Sequence, residues 1–258
     1  MPRDFFDVPL TAHRTSQGLV ELPIRYREVS AVVAIFRVPE LRARELLAGT
    51  PLEPALARSG RAFAGLAFYE YRDTTIGAYG EVGLALPVRP ARATPPRLGA
   101  LELFRAPRER ELGVFIVDLP VSTAIANAAG RELWGFPKFV TRLPFALATD
   151  RFDAAVLDPD GEGEIVRLSG ELGRGVPAPP LSLTTYSMFE GELIRTPVDV
   201  RGAQRLRRGG GLRLELGESR HAMVEHLRGL GLDQASPVLV ATTDRFQSLL
   251  HAGARVSR

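Results

Sequence analysis

Short apolar runs in which polar residues fill alternate positions dominate this chain, and the pattern predicts a mainly β protein. The run at 24–38 is long and rich in β-branched residues. Its imperfect alternation is typical of a strand that is buried on both faces over part of its length. Runs of similar character predict further strands at 62–72, 79–88, 112–119, 139–148, 152–157, 164–171, 184–196, 212–216 and 238–242. Many short strands with few helices indicate an α+β chain whose antiparallel sheet forms a closed barrel or a sandwich.

Helical segments are few and short. Spacing and stop signals predict helices at 40–47, 122–129 and 221–231, and a terminal turn or helix at 245–251. Ser122 offers an N-cap for the second of these helices, and Gly130 is well placed to end it. A stretch rich in proline and glycine at 173–180 predicts a crossover between strands. The helices therefore decorate a β architecture.

Length and composition are those of a globular protein. The chain has 258 residues, of which 45% are apolar and 24% are charged. A closed β structure of this size is ordinary as a single domain, so we expect one domain over residues 1–258.

The first 20 residues contain no apolar segment of the kind found in signal peptides, and the longest apolar run, 31–36, is too short to span a membrane. We therefore expect a soluble, cytoplasmic protein without a membrane partner.

Several classes of function are disfavoured by composition and motifs. The sequence has a pI of about 9.7 but a net charge of only +3. Its densest basic stretch, 201–213, lacks the interleaved aromatic residues that stack on bases, so we interpret it as a solvated turn between strands and expect no nucleic-acid partner. The absence of cysteine excludes disulfides, thiolate metal sites and a cysteine nucleophile.

Metal and cofactor motifs are incomplete. The acidic run at 158–163 has too few ligands for a calcium loop and lacks the downstream bidentate glutamate. His221 and His226 are five residues apart, which would point them to different faces of a helix. Gly173 and Gly175 have the spacing of a dinucleotide loop, but the third glycine is missing. We therefore predict neither a metal nor a cofactor.

Lysine occurs once, at position 138, although lysine and arginine together number 33. Arginine cannot lose its proton and attack a carbonyl group, whereas a desolvated lysine can. The lone Lys138 is therefore a candidate Schiff-base nucleophile, and the alternative is a residual surface charge. Trp134, Phe136 and Phe139 could form a dry wall around it, and we assign these three aromatic residues to substrate binding.

Two charged residues stand inside apolar strands. Glu81 lies in the strand predicted at 79–88, and Arg27 lies in the strand predicted at 24–38. Carboxylates and guanidinium groups are rarely buried unless they are paired. From spacing alone, each residue either faces solvent, takes part in a structural ion pair, or belongs to a functional site.

Three segments together resemble the acetoacetate decarboxylase superfamily. Residues 130–138, with the sequence GRELWGFPK, resemble the G-R-E…P-K signature of that family. Residues 79–88, YGEVGLALPV, resemble its Y-x-E-x-G-x-A-x-P-V strand, and 26–28, YRE, resemble the segment that carries an active-site arginine. The order and spacing of the three segments agree, so the resemblance spans roughly residues 20–145.

The resemblance implies an antiparallel β-cone or closed β-barrel, a homo-oligomer, and Schiff-base chemistry without a cofactor. Under this interpretation Lys138 is the nucleophile that forms an imine with substrate. Glu81 is the carboxylate beside it. Arg27 either pairs with Glu81 or meets a carboxylate of the substrate.

Three functions remain open at this point. The first is a lyase that decarboxylates a small β-keto acid of the acetoacetate type through an imine on Lys138. The second is an aldolase–dehydratase that uses pyruvate or another 2-keto acid through the same imine. It is favoured by Phe139, which stands where the family's decarboxylases carry a second lysine. The third is a non-catalytic β-barrel that binds a small molecule.

Overall fold

Strands make up most of the ordered structure. The computed structural model describes residues 4–93, 102, 105–161 and 163–256. In its first half the strands are β1 (Thr11–Thr15), β2 (Gly18–Leu22), β3 (Ile24–Pro39), β4 (Leu52–Pro54), β5 (Arg61–Thr74), β6 (Tyr79–Pro90) and β7 (Gly113–Asp118). In its second half they are β8 (Phe145–Leu147), β9 (Arg151–Leu157), β10 (Glu164–Glu171), β11 (Gly175–Ala178), β12 (Leu183–Phe189), β13 (Glu192–Arg208), β14 (Leu212–Leu216), β15 (Leu239–Leu250) and β16 (Ala254–Arg255). The helices are α1 (Glu40–Leu46), α2 (Ala124–Trp134) and α3 (Ala222–Gly229). Within the described ranges, every helix is too short or too polar to span a lipid bilayer.

The largest sheet is closed into a barrel. Its seven strands follow the order β13-β12-β7-β6-β5-β3-β15, and β15 pairs back with β13. Neighbouring strands are antiparallel except β12 and β7, which run parallel. The structure therefore confirms the prediction of a mainly β chain with a closed barrel and a few short helices.

The main hydrophobic core lies between the outer face of the barrel and a second sheet. That second sheet has the order β14-β10-β9-β8. Phe68 on β5 meets Phe152 on β9 edge to face, with ring centroids 5.4 Å apart. Leu84 on β6 joins the same core, and so does Leu227 on α3. The second sheet and α3 thus cover one side of the barrel wall.

A second core cluster lies on the opposite, inner face of the same strands. Because successive strand residues point to opposite faces, Val82 and Leu84 enter the main core while Tyr79 and Glu81 point into the barrel. The inner cluster also takes in Tyr26 from β3 and apolar residues of α2. Alternate side chains of β6 therefore lie in the main core, and those between them, including Glu81, lie on the inner face of the barrel.

Two predictions about the helix at 122–129 need correction or refinement. The helix begins at Ala124 with Thr123, rather than Ser122, as its N-cap, and it does not end at Gly130 but continues to Trp134. It ends at Gly135, whose φ of 66° is left-handed and favours glycine. After it, only Phe145–Leu147 of the strand predicted at 139–148 has regular strand structure. Gly130 is needed for close packing rather than for a helix end, as described below.

Predictions in the C-terminal half identified only parts of the strands that close the barrel. The strand predicted at 184–196 is two strands, β12 and β13, which turn at Glu190 and Gly191, both with positive φ. The segment 245–251 is mostly part of β15, where bulges around Phe246 disturb the alternation that would reveal a strand. The crossover predicted at 173–180 contains the short strand β11. The basic stretch 201–213 is mostly strand, with its turn confined to 209–211.

Helix α3 is tied to the barrel by one polar contact. Nδ1 of His226 lies 2.8 Å from Oδ2 of Asp118 at the end of β7. Asp118 is buried, whereas the His226 side chain is 33% exposed. The hydrogen bond to Asp118 raises the pKa of His226 above its ordinary value, and partial burial opposes this effect. The protonated form of His226 therefore binds the barrel more strongly than the neutral form does.

We expect this contact to make stability depend on pH. Because the pKa of His226 is raised in the folded state, its contribution is fully present below the unfolded value of about 6.5 and is lost as pH rises through the folded value. The loss of unfolding free energy caused by His226→Gln should therefore be larger near about pH 5.5 than near about pH 9, by roughly 1 kcal/mol or less because the site is partly exposed. Urea denaturation measures this difference.

The control is His13→Gln, since in the described chain the His13 side chain makes no hydrogen bond or ion pair. A penalty for His226→Gln that stays constant across this pH range would contradict the prediction.

Candidate active site

Lys138 and Glu81 meet inside the barrel. The Nζ atom of Lys138 lies 2.7 Å from Oε2 of Glu81, and the two residues are only 6% and 8% exposed. The lone lysine of the chain is therefore not a surface charge but half of a buried ion pair. Such a pair is tolerated only when the two charges are close and their remaining hydrogen-bonding capacity is used.

The backbone after α2 places the lysine. Gly135 turns the chain where a side chain would strike the carbonyl oxygen of Met188, at 2.6 Å. The following segment then runs extended beside residues 119–121. The N–H of Leu119 donates to the carbonyl of Pro137 at 3.2 Å, and the N–H of Val121 donates to that of Phe139 at 2.9 Å. Because Val121 also bridges to Glu81 on β6, these bonds bring Lys138 to the strand that carries Glu81.

The side chain of Lys138 lies across Gly130 of α2. A Cβ atom added to Gly130 would collide with Cδ and Cε of Lys138. On the same helix Arg131 donates from Nη1 to the carbonyl of Lys138 at 2.8 Å. The residues of the G-R…P-K signature therefore pack together. Gly130 leaves space for the side chain of Lys138, and Arg131 binds the backbone carbonyl of Lys138.

Tyrosines form the wall around the ion pair. Four of the five tyrosines in the chain converge here, from β3, β5 and β6. The Tyr71 hydroxyl donates to Oε1 of Glu81 at 3.1 Å, and the hydroxyls of Tyr26 and Tyr79 lie 3.1 Å apart. The Tyr71 ring packs 4.5 Å from that of Tyr26 and 4.7 Å from that of Tyr79, and it stacks on Tyr69 at 5.4 Å.

The electrostatics of the site are simple. Burial and the charge of Glu81 raise the pKa of each of the four tyrosines above its ordinary value. The wall therefore stays neutral and protonated. Nζ of Lys138 lies 5.8 Å from the centroid of the Tyr79 ring, whose face favours a cation. Within the described residues, no group of three or more histidine, aspartate or glutamate side chains is arranged to hold a metal ion.

Arg27 does not make the expected ion pair with Glu81. Its Nη1 atom lies 3.1 Å from Oδ1 of Asp73, and its side chain is 38% exposed. The pairing of β3 with β5 shifts in register between Tyr26 and Val29. Because of this shift Tyr26 points into the barrel, and Arg27, the next residue, points away from it. Arg27 instead lines a polar cleft of about 610 Å³ that also contains Arg72, Asp244 and Phe246. Its catalytic assignment stays a prediction.

The three aromatic residues around Lys138 divide between the two cores. Trp134 and Phe136 are buried in the inner cluster with their rings 5.8 Å apart. Phe139 faces the other way, packs against the main core and lies 4.2 Å from the ring of His221. Phe139 therefore lies on the other side of the segment from Trp134 and Phe136, because it directly follows Lys138 in an extended stretch. The assignment of the three residues to substrate binding stays a prediction.

The tyrosines were not singled out from the sequence, although a signal was present. Tyr79 and Glu81 have the same parity on β6, and Tyr69 and Tyr71 share one face of β5 directly opposite. Tyrosine is common in strands, so its presence there is not itself a sign of function. The registers between the strands were needed to show that the four side chains meet.

A sequence profile of the family described as acetoacetate decarboxylase (ADC) matches residues 7–252. The chain belongs to the acetoacetate decarboxylase family. No curated protein sequence matches it. The match extends well beyond the region of the three motifs and includes the C-terminal strands that close the barrel.

Solved structures share the acetoacetate decarboxylase fold. Acetoacetate decarboxylase from Legionella pneumophila subsp. pneumophila str. Philadelphia 1 is 16% identical, with a TM-score of 0.65 over 100% of this chain and 92% of that chain. The enduracididine biosynthesis enzyme MppR is 17% identical, with a TM-score of 0.64 over 92% and 91%. An acetoacetate decarboxylase-like enzyme from Sphingomonas wittichii RW1 is 14% identical, with a TM-score of 0.62 over 92% and 94%. At these identities the similarity establishes the fold alone.

We expect removal of the lysine charge to be costly for stability. Lys138→Met leaves the Glu81 carboxylate buried without a cation, and breaking a buried ion pair in this way typically costs about 3–5 kcal/mol. The double variant Lys138→Met/Glu81→Gln removes both charges and should recover much of that loss. Urea denaturation near about pH 7 compares the two. Equal destabilisation of the single and double variants would show that the two charges are not coupled.

Proposed function

We propose that this protein is a cofactor-independent lyase that forms an imine between Lys138 and a small β-keto acid of the acetoacetate type and releases CO₂. The observation that carries the proposal is the contact of 2.7 Å between Nζ of Lys138 and Oε2 of Glu81 inside a wall of neutral tyrosines. An amine in such a place has a proton acceptor within hydrogen-bond reach and little surrounding water.

The first half of the reaction forms the imine. Glu81 accepts a proton from Lys138, and the neutral amine attacks the keto carbon of the substrate. Glu81 then returns its proton to the hydroxyl that leaves the carbinolamine as water. The resulting imine is protonated on Nζ, so a positive charge again lies beside the Glu81 carboxylate and near the face of Tyr79.

The second half of the reaction releases CO₂. The bond between the α-carbon and the carboxylate breaks, and its electron pair moves to the iminium nitrogen and gives a neutral enamine. Glu81 takes up one proton from solvent and delivers it to the enamine carbon. Addition of water to the imine then frees the ketone and restores the amine of Lys138.

The charges around the ion pair favour loss of the substrate carboxylate. In the described part of the chain, the hydrogen bonds and ion pairs of the Lys138 and Glu81 side chains and of the four tyrosines include no arginine. A substrate carboxylate attached through Nζ would lie close to the carboxylate of Glu81, and neighbouring like charges disfavour the charged form. Departure of CO₂ removes that repulsion.

An aldolase–dehydratase acting on pyruvate or another 2-keto acid is the second candidate. Two observations favour it. Phe139 stands where the family's decarboxylases carry a second lysine. Solved structures of MppR, which shares the fold, hold pyruvate and the condensation product of pyruvate and imidazole 4-carboxaldehyde. In this reaction the carboxylate is retained, and Arg27 would bind it only after leaving Asp73 and turning towards the interior of the barrel.

Borohydride trapping tests the proposal directly. We expect reduction in the presence of acetoacetate to attach the substrate carbon skeleton to Lys138, as measured by mass spectrometry, and CO₂ to be released without borohydride. Because Lys138 is the only lysine, its peptide identifies the site unambiguously. Lys138→Arg keeps a positive charge beside Glu81 but cannot form an imine, so it is the matched control.

The same experiment separates the alternatives. An adduct with pyruvate together with the absorbance of a conjugated enone, and no CO₂ from acetoacetate, would support the aldolase–dehydratase. No adduct with either acid would leave the non-catalytic binding barrel as the remaining interpretation and would refute both enzymatic candidates.

The fit of Lys138 against α2 generates a separate prediction. Gly130→Ala improves helix propensity by up to about 1 kcal/mol but forces the lysine side chain away from the helix. Unfolding should therefore change little while the rate of CO₂ release falls about 10- to 100-fold, since a small displacement of a reacting atom has effects of that size. Gly229→Ala in α3 is the matched control, because a Cβ atom there meets nothing within 4 Å. Full activity of Gly130→Ala would contradict the packing argument.

A further inference from the structure

The Glu81 carboxylate is shared between two partners, one at each oxygen. Oε2 meets Nζ of Lys138 at 2.7 Å, and Oε1 accepts from the Tyr71 hydroxyl at 3.1 Å. With both oxygens bound to different groups, the carboxylate cannot rotate to exchange them without breaking both contacts. One oxygen of Glu81 is therefore reserved for the lysine.

Tyr71 is the tyrosine of the four that reaches Glu81 within the described chain. The hydroxyls of Tyr26 and Tyr79 bond to each other instead. The ring of Tyr71 is held between those of Tyr26 and Tyr79, with centroids 4.5 and 4.7 Å away, and its other contact is the stacked ring of Tyr69. Three neighbouring rings thus fix the direction in which the Tyr71 hydroxyl points.

The Tyr71 hydroxyl is also held in its donating form. Burial and the charge of Glu81 raise the pKa of Tyr71 well above its ordinary value, so the hydroxyl keeps its proton across the range in which an enzyme works. An ionised carboxylate can only accept hydrogen bonds, and a bond to its charged form favours that form. The Tyr71 hydroxyl can donate to Oε1 in either form of Glu81, and the hydrogen bond is stronger when the acceptor is the carboxylate.

We propose that Tyr71 is a positioning residue that holds Oε1 of Glu81 and thereby directs Oε2 at Nζ of Lys138. Its effect on catalysis rests on the imine function proposed above, whereas its effect on Glu81 does not. Tyr71 contacts the carboxylate from the side away from Nζ, so it acts on the reaction through Glu81.

The kinetic test uses Tyr71→Phe with acetoacetate as substrate. We expect kcat to fall roughly tenfold, the scale of one lost hydrogen bond to a charged group, and KM to change less than about twofold. Tyr186→Phe is the matched control. It removes a hydroxyl that donates to the carbonyl of Glu111 on the other face of the barrel wall, and it should leave kcat unchanged.

A second measurement needs no substrate. Infrared difference spectra identify the carboxylate stretching bands of Glu81 as those that disappear in Glu81→Gln, and these bands should shift in Tyr71→Phe because Oε1 loses its hydrogen-bond donor. Thermal unfolding confirms that the variants are folded. If Tyr71→Phe shows the wild-type infrared bands and the wild-type kcat, the positioning role is refuted while imine formation stands. If the wild type forms no adduct but the infrared shift is present, the imine function fails and the control of Glu81 by Tyr71 stands.

Discussion

A buried ion pair between Lys138 and Glu81 is the constraint on which the rest of the site depends. Removing two opposite charges from water costs several kcal/mol per ion, and their attraction compensates only if they are close and otherwise satisfied. The inner face of the barrel meets these conditions with a contact of 2.7 Å and with Tyr71 on the second carboxylate oxygen. Helix α2 contributes by leaving space at Gly130. The same features that make the pair tolerable also shield the contact between Nζ and the carboxylate from bulk water.

Local sequence patterns were enough to predict most strands of the barrel but not the pairing of β13 with β15 that closes it. Alternation along 79–88 separates Val82 and Leu84 from Glu81, and burial on the two faces of β6 follows that separation. At β15 the bulges around Phe246 interrupt the alternation, so only its first part, at 238–242, was predicted as a strand. The pairing of β15 with both β3 and β13 joins residues far apart in sequence, and periodicity within a short window carries no information about such partners.

The site was predictable where a residue was unusual for its surroundings. Lys138 was singled out because it is the only lysine of the chain, and Glu81 because it is a charged residue in an apolar strand. Aromatic residues are common in strands, so the sequence did not show that Tyr71 faces Glu81. The pairing register of β5 with β6 was needed to show it. For Arg27 the failure has a local cause. A register shift in β3 turns its side chain to Asp73, and no pattern in 24–38 marks where that shift occurs.

The way the barrel closes has a consequence for how the chain folds. β15 lies between β3 and β13, and Ser248 stands opposite Tyr26, so residues from the two ends of the chain share one wall of the site. While the protein is being synthesised, the edge of β3 that β15 will cover stays open until residues 239–250 have left the ribosome. Open strand edges pair readily with other chains, and long-range pairing forms slowly. The barrel is therefore closed last, and the nascent chain spends most of its synthesis with the edge of β3 beside Tyr26 exposed to other strands.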